Sequence, residues 1–126
     1  MGFLDGLRGN ASEMKEDKLE EELEEILIEG ESIEGGYKIL RDYFVFTNER
    51  LILVDKQGVT GNKKEFHSIP YNNIRHFSIE SAGTFDRDSE LKLWIAGIDN
   101  PIQKQFGKKS SNIFEVQQAL ARHILK

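Results

Sequence analysis

Cysteine is absent from the 126 residues, which removes disulfide bonds, thiolate nucleophiles and thiolate-bound zinc as sources of stability or chemistry. A reducing compartment, the cytoplasm, is the expected home. Proline occurs only twice: Pro70 closes an apolar run because it cannot donate to a strand ladder, and Pro101 lies in a reversal that begins at Gly97. No run of about eighteen apolar residues exists, so no membrane-spanning helix is expected. Residues 1–8 lack a basic flank followed by a long apolar stretch, which argues against a secretory signal. Gly2 is followed by Gly6 where the usual myristoylation pattern has Ser or Thr. Without secretion, the Asn10-Ala11-Ser12 match to a glycosylation acceptor is accidental.

Excess positive charge is missing as well. The net charge is −5, and residues 13–29 hold nine acids against Lys15 and Lys18, a local charge of −7 that leaves +2 for the rest. A nearly neutral body beside an acidic segment offers no broad field for a phosphate backbone, so nucleic acid is not an expected partner.

A chain of 126 residues with 38% apolar composition suits one domain with one modest core. In the acidic segment Leu19, Leu23, Ile26 and Leu27 fall on one face of a helix, which predicts three to four amphipathic turns stopped by Gly30. The expected role of that stripe is to cover one opening of the body. After Glu31 the period changes, and strands are predicted near 32–40, 42–47, 50–55, 63–69, 75–81, 90–96 and 102–106. Asn48-Glu49 makes a tight hairpin, Gly58 and Gly61 supply the next reversal, and Ala82-Gly83-Thr84 opens a longer loop.

Alternation assigns faces. Leu91, Leu93 and Ile95 share one side of a strand while Glu90, Lys92 and Trp94 share the other, and Phe77 and Ile79 oppose His76, Ser78 and Glu80. By contrast, Phe44-Val45-Phe46 and Leu51-Ile52-Leu53-Val54 are apolar throughout, which requires cover on both faces from a helix or another subunit. Near the end, Asn112 and Glu115 have capping-box spacing, and Ile113, Val116, Leu120 and Ile124 form the stripe of a terminal helix. Seven antiparallel strands with this helix plugging the open end of a curled sheet leave the fewest bare edges.

The run Phe44-Val45-Phe46-Thr47-Asn48-Glu49-Arg50-Leu51-Ile52-Leu53-Val54-Asp55, followed by Ser68-Ile69-Pro70-Tyr71-Asn72-Asn73-Ile74, resembles the bacterial pleckstrin-homology (PH) domain family. The likeness extends over nearly the whole chain. It implies a mainly β protein: a partly open seven-stranded antiparallel barrel capped by a C-terminal α-helix and preceded by the acidic helix. Residues 1–30 would be the N-terminal extension and helix, residues 31–126 the barrel with its cap, together one structural domain. The resemblance also implies a cytoplasmic, self-associating protein. Eukaryotic members of the fold often bind phosphoinositides through basic clusters on the first strand pair. Here that stretch offers only Lys38 and Arg41 beside Asp42, a weak anion contact at best, so phosphoinositide binding is not expected.

Candidate chemistry is sparse. The three histidines, His67, His76 and His123, are candidates because an unperturbed imidazole changes charge near neutrality, but His67 and His76 read more simply as surface strand residues than as a metal pair. Asp86-Arg87-Asp88-Ser89-Glu90 lacks the glycine and distal glutamate of a calcium loop and reads as a charged hairpin tip. No glycine-rich phosphate cradle, nucleophile elbow, metal set or cofactor site is predicted, and an enzyme is not expected.

Trp94 on a polar face calls for cover by a helix or a neighbouring subunit. The expected function is that of a non-enzymatic module that forms a homo-oligomer and presents a sheet edge or groove to itself or to another protein. Phe44, Phe46, Trp94, Leu19 and Leu23 are its candidate interface. The alternative is a peripheral membrane adaptor held by Phe3, Leu4 and Leu7.

Overall fold

The computed structural model describes residues 16–39, 42–57, 63–80, 89–106 and 113–125. Helix α1 (Glu16–Leu23) precedes seven strands: β1 (Ile33–Ile39), β2 (Asp42–Thr47), β3 (Arg50–Gln57), β4 (Lys63–Pro70), β5 (Ile74–Glu80), β6 (Ser89–Ile95) and β7 (Ile102–Phe106). A 3-10 turn (Tyr71–Asn73) joins β4 to β5, and helix α2 (Ile113–Ile124) follows β7. The strands form two antiparallel meanders, β1-β2-β3-β4 and β5-β6-β7. They enclose one core, with β1 and β7 approaching each other and α2 lying over β5, β6 and the 3-10 turn. Every predicted strand is present to within about two residues at its ends.

Alternation sets the layers. From β2 and β3, Phe44, Phe46, Leu51 and Leu53 point inward and join Leu91, Leu93, Ile95 and Phe106 from the second sheet, with Ile113, Val116, Ala119 and Leu120 of α2 closing the cluster. Phe44 and Phe106 meet edge to face across this core, ring centroids 6.4 Å apart. The intervening residues Tyr43, Val45, Ile52 and Val54 form an apolar outer face, and Leu19 and Leu23 of α1 lie on it, both fully buried. The two faces demanded by the unbroken apolar runs are therefore covered within one chain. Each buried leucine contributes about 2 kcal/mol of transfer free energy.

Two expectations about the first helix are corrected. It packs on the outer face of the four-stranded sheet, against β1, and does not cover a barrel opening. It also ends at Leu23, not at Gly30, and the chain continues through turns in which Ile26 and Leu27 stay packed against the same cluster. The physical cause is competition for backbone groups. The Ile26 carbonyl accepts from Arg50 Nη2 at 2.6 Å and the Ile28 amide donates to Glu31 Oε1 at 3.1 Å, so tertiary partners take the groups that another helical turn would use. Gly30 still marks the reversal, at φ +85°.

Gly97, also at φ +85°, turns the chain between β6 and β7 as predicted. The glycines at 58 and 61, the loop at 82–84, Asn112, residues 86–88 of the acidic tip and Phe3, Leu4 and Leu7 lie outside the described residues. Among the described residues, no helix is long and apolar enough to cross a membrane.

Candidate functional site

The β2–β3 hairpin builds a polar clamp at one end of the first sheet. Thr47 is fully buried. Its Oγ1 accepts from the amides of Glu49 at 3.0 Å and Arg50 at 2.9 Å, which tightens the two-residue turn, and donates to Glu31 Oε2 at 2.7 Å. Asn48 ties the turn to the segment before β1: its Oδ1 accepts from the Ser32 amide at 2.7 Å and its Nδ2 donates to the Gly30 carbonyl at 3.0 Å.

Arg50 then grips Glu31 with two bonds of 2.8 Å, from Nε to Oε2 and from Nη2 to Oε1, while Nη1 donates to Ser68 Oγ at 2.9 Å. The Glu31 side chain has no exposed surface. Burial alone would raise its pKa, but the Arg50 guanidinium dominates and, with Thr47 and the Ile28 amide, holds the carboxyl at about 2.

Beside the clamp, α2 delivers His123 to the 3-10 turn. Its ring stacks on Tyr71, centroids 4.3 Å apart, and faces Phe46 at 5.9 Å. Nδ1 lies 2.9 Å from the Ala119 carbonyl and Nε2 lies 2.7 Å from Glu34 Oε1. Tyr71 donates its hydroxyl to the Thr47 carbonyl at 2.6 Å. Burial first, and the Glu34 carboxylate second, push that phenol above its ordinary pKa. The two motifs that carry the sequence resemblance thus interlock, through Tyr71 with Thr47 and Ser68 with Arg50. Between the 3-10 turn and the end of α2 opens a groove of about 450 Å³ lined by Glu49, Pro70, Tyr71, Asn72, His123 and Ile124.

A second polar cluster gathers carboxylates from neighbouring strands. Asp42 and Asp55 flank the Tyr43–Val54 pair on adjacent strands, and Glu65 lies opposite Asp55 on β4. Lys104 Nζ reaches Asp42 Oδ2 at 3.3 Å. Burial and a hydrogen bond with Asp42 push the Asp55 carboxyl above its usual range. On the sheet's outer face, Tyr43 hydrogen-bonds Glu22 of α1, and Lys64 Nζ pairs with the same carboxylate at 2.8 Å.

The residues singled out from sequence do not converge on one surface. Phe44 and Phe46 lie in the core, and Leu19 and Leu23 lie on the face of α1 turned to the sheet, all with at most 1% exposure. In this conformation they have no surface to offer a second copy. Trp94 is half-buried on the outer face of the second sheet, where His76 of the adjacent strand stacks on it at 4.4 Å. Lys38 is exposed on β1, and Arg41 lies outside the described residues. His67 sits on β4 and His76 on β5, in different sheets. Among the described residues no group of three or more histidines and carboxylates has metal-binding geometry. Glu31 and the pairing of Tyr71 with His123 escaped the sequence reading. Glu31 had one local signal, a carboxylate placed directly after the reversal at Gly30. His123 had none.

Comparison with known proteins fits this architecture. The bacterial PH domain model matches residues 2–124. Uncharacterized protein YjqA of Bacillus subtilis is 57% identical over 122 residues, 96% of this chain and 97% of its own, and uncharacterized protein YozO of the same organism is 37% identical over 102 residues, 81% and 86%. The crystal structure of a pleckstrin homology domain from Shewanella amazonensis SB2B superposes with a TM-score of 0.83 at 52% identity, covering 98% of both chains. A pleckstrin-homology protein of the DUF1696 family from Shewanella loihica PV-4 gives 0.78 at 49%, covering 91% of this chain and 97% of that one.

Proposed function

Because this chain belongs to the bacterial PH domain family, we propose that it is a non-enzymatic interaction module of the cytoplasm that self-associates through a free sheet edge. The observation that carries this is the open side of the barrel. β4 pairs only with β3 and β5 only with β6, so each strand has a second edge without a ladder partner among the described strands, although the two are joined by the short Tyr71–Asn73 turn. β4 is also the most exposed strand of its sheet and carries Phe66, 37% exposed, on the face shared with Lys64. A free edge beside an exposed aromatic ring favours strand addition by a second copy, which satisfies ladder groups and removes the ring from water together.

The absence of cysteine supports a reducing compartment. A binding role, as opposed to catalysis, is supported by how the polar groups of the site are engaged: the Arg50–Glu31 and His123–Glu34 pairs hold the N-terminal segment and α2 to the barrel.

Light scattering on the purified chain tests the proposal. The expected mass is a multiple of 14.5 kDa. Phe66→Asp should shift it towards the monomer while leaving the circular dichroism spectrum unchanged. A wild-type mass of 14.5 kDa at every concentration removes the proposal.

A further inference from the structure

The groove between the 3-10 turn and the end of α2 has a polar composition that the clamp does not use. Glu49 occupies the one position of the Thr47-Asn48-Glu49-Arg50 turn whose side chain takes no part in it. Its backbone amide is bound to Thr47, but its carboxylate is exposed and makes no hydrogen bond or ion pair among the described residues, and neither does the Asn72 side-chain amide on the same wall. Between them run apolar surfaces from Pro70, the Tyr71 ring and Ile124.

Two carboxylates stand behind this wall, each already held by a partner. The carboxylates of Glu34 and Glu31 both raise the energy of a negative charge at the Tyr71 hydroxyl. The Arg50 guanidinium is committed to Glu31, and both ring nitrogens of His123 are engaged, Nε2 with Glu34 and Nδ1 with the Ala119 carbonyl. Glu49 is left as the uncompensated charge on the groove.

From this arrangement we propose that the groove is a docking site for a lysine side chain of a partner protein. The aliphatic stem lies along Pro70, Tyr71 and Ile124 and the ammonium meets the Glu49 carboxylate, with the Asn72 amide oxygen as a second acceptor. Charge complementarity selects the occupant. An anionic group would face the Glu49 carboxylate, a purely apolar one would leave the Glu49 and Asn72 wall unmatched, and an ammonium on a four-carbon stem uses both surfaces. The groove meets β4 only at its last residue, Pro70, away from Phe66, and the proposal does not depend on self-association.

Nuclear magnetic resonance titration of the labelled full chain provides the test, with acetyl-Gly-Lys-Gly-amide as the probe and the isosteric norleucine peptide and spermidine as comparisons. The expected result is a saturable shift of the Glu49, Asn72 and Ile124 amides with the lysine peptide, weakened at least about fivefold by Glu49→Gln, the loss expected for one charge-assisted contact. Glu49→Gln changes no hydrogen bond of the clamp, so its amide spectrum should otherwise match the wild type. Equal binding of the norleucine peptide, shifts confined to other surfaces, no saturable shift, or indifference to Glu49→Gln would each overturn the proposal. Binding of spermidine without binding of the lysine peptide would overturn it too, by assigning the groove to a free polyamine.

Discussion

Arg50 and Glu31 stand 19 positions apart in the chain and meet in two hydrogen bonds of 2.8 Å, with the carboxylate side chain wholly buried. Through Thr47 and the Ile26 carbonyl, the pair ties the segment after α1 to the β2–β3 hairpin. It makes α1 a part of the fold and not a tethered appendage.

Acid should loosen that tie. Glu31 has its pKa lowered from 4.5 to about 2 in the folded chain, so the folded state binds this proton less tightly than the unfolded state does. The associated stability, about 3 kcal/mol, is fully present above the unfolded pKa and is lost as pH falls from about 4.5 towards 2. Urea unfolding across that window should show the loss in the wild type. Glu31→Gln should be destabilised by a similar amount at neutral pH, because Arg50 keeps its charge without its partner, and the two proteins should converge in acid. Parallel curves down to pH 2 would contradict this role of the pair.

Gly36 sets how closely α1 approaches β1. A Cβ placed there would lie 2.3 Å from Leu19 Cδ1, so a side chain must displace a fully buried leucine. Gly36→Val is expected to cost about 1–3 kcal/mol through overpacking. In the double variant with Leu19→Ala, the two losses should add up to less than their sum, because the smaller residue makes room. Thermal melts of the four proteins measure this coupling, and strict additivity would show that helix and strand do not meet at this point.

Asp55 supplies a test of opposite sign. Its carboxyl is pushed above the usual range by burial and by Asp42, so its contribution favours the fold at low pH and is lost as pH rises through the raised pKa. Asp55→Asn should therefore stabilise the protein at neutral pH by about 0.5–1 kcal/mol, the scale of a relieved cross-strand repulsion. The gain should vanish in acid, where both aspartates are protonated. A destabilised variant at neutral pH would show that the Lys104 attraction outweighs the repulsion.

Much of the architecture was legible because strand alternation is local. Leu91, Leu93 and Ile95 against Lys92 and Trp94 require only neighbours along one strand, and the double-sided runs at 44–46 and 51–54 announced a covering layer. The identity of that layer followed less directly. The stripe Leu19, Leu23, Ile26 and Leu27 was visible, but the end of the helix was not, because Glu24 to Glu29 suit a helix on propensity and the groups that end it belong to Arg50 and Glu31. Trp94 looked like a residue awaiting a helix or a neighbouring subunit, and nothing in the spacing revealed that strand register would set His76 beside it. The candidate interface also mixed core with surface: Phe44 and Phe46 were correctly read as apolar, but apolarity alone does not tell which face meets the core and which meets a partner.

The sequence by itself determined the strand order, the inward and outward faces, the turns at Asn48-Glu49 and Gly97, and the family, since each is written in residues close together along the chain. Only the tertiary structure decided that the helix lies on the outer face of the sheet, that Thr47, Arg50, Ser68 and Tyr71 form one clamp, and that His123 reaches Glu34 across 89 positions. Those contacts join segments whose separation no periodicity encodes. They form because burying Glu31 and ordering the end of α2 require hydrogen-bond partners, and folding brings the partners within reach.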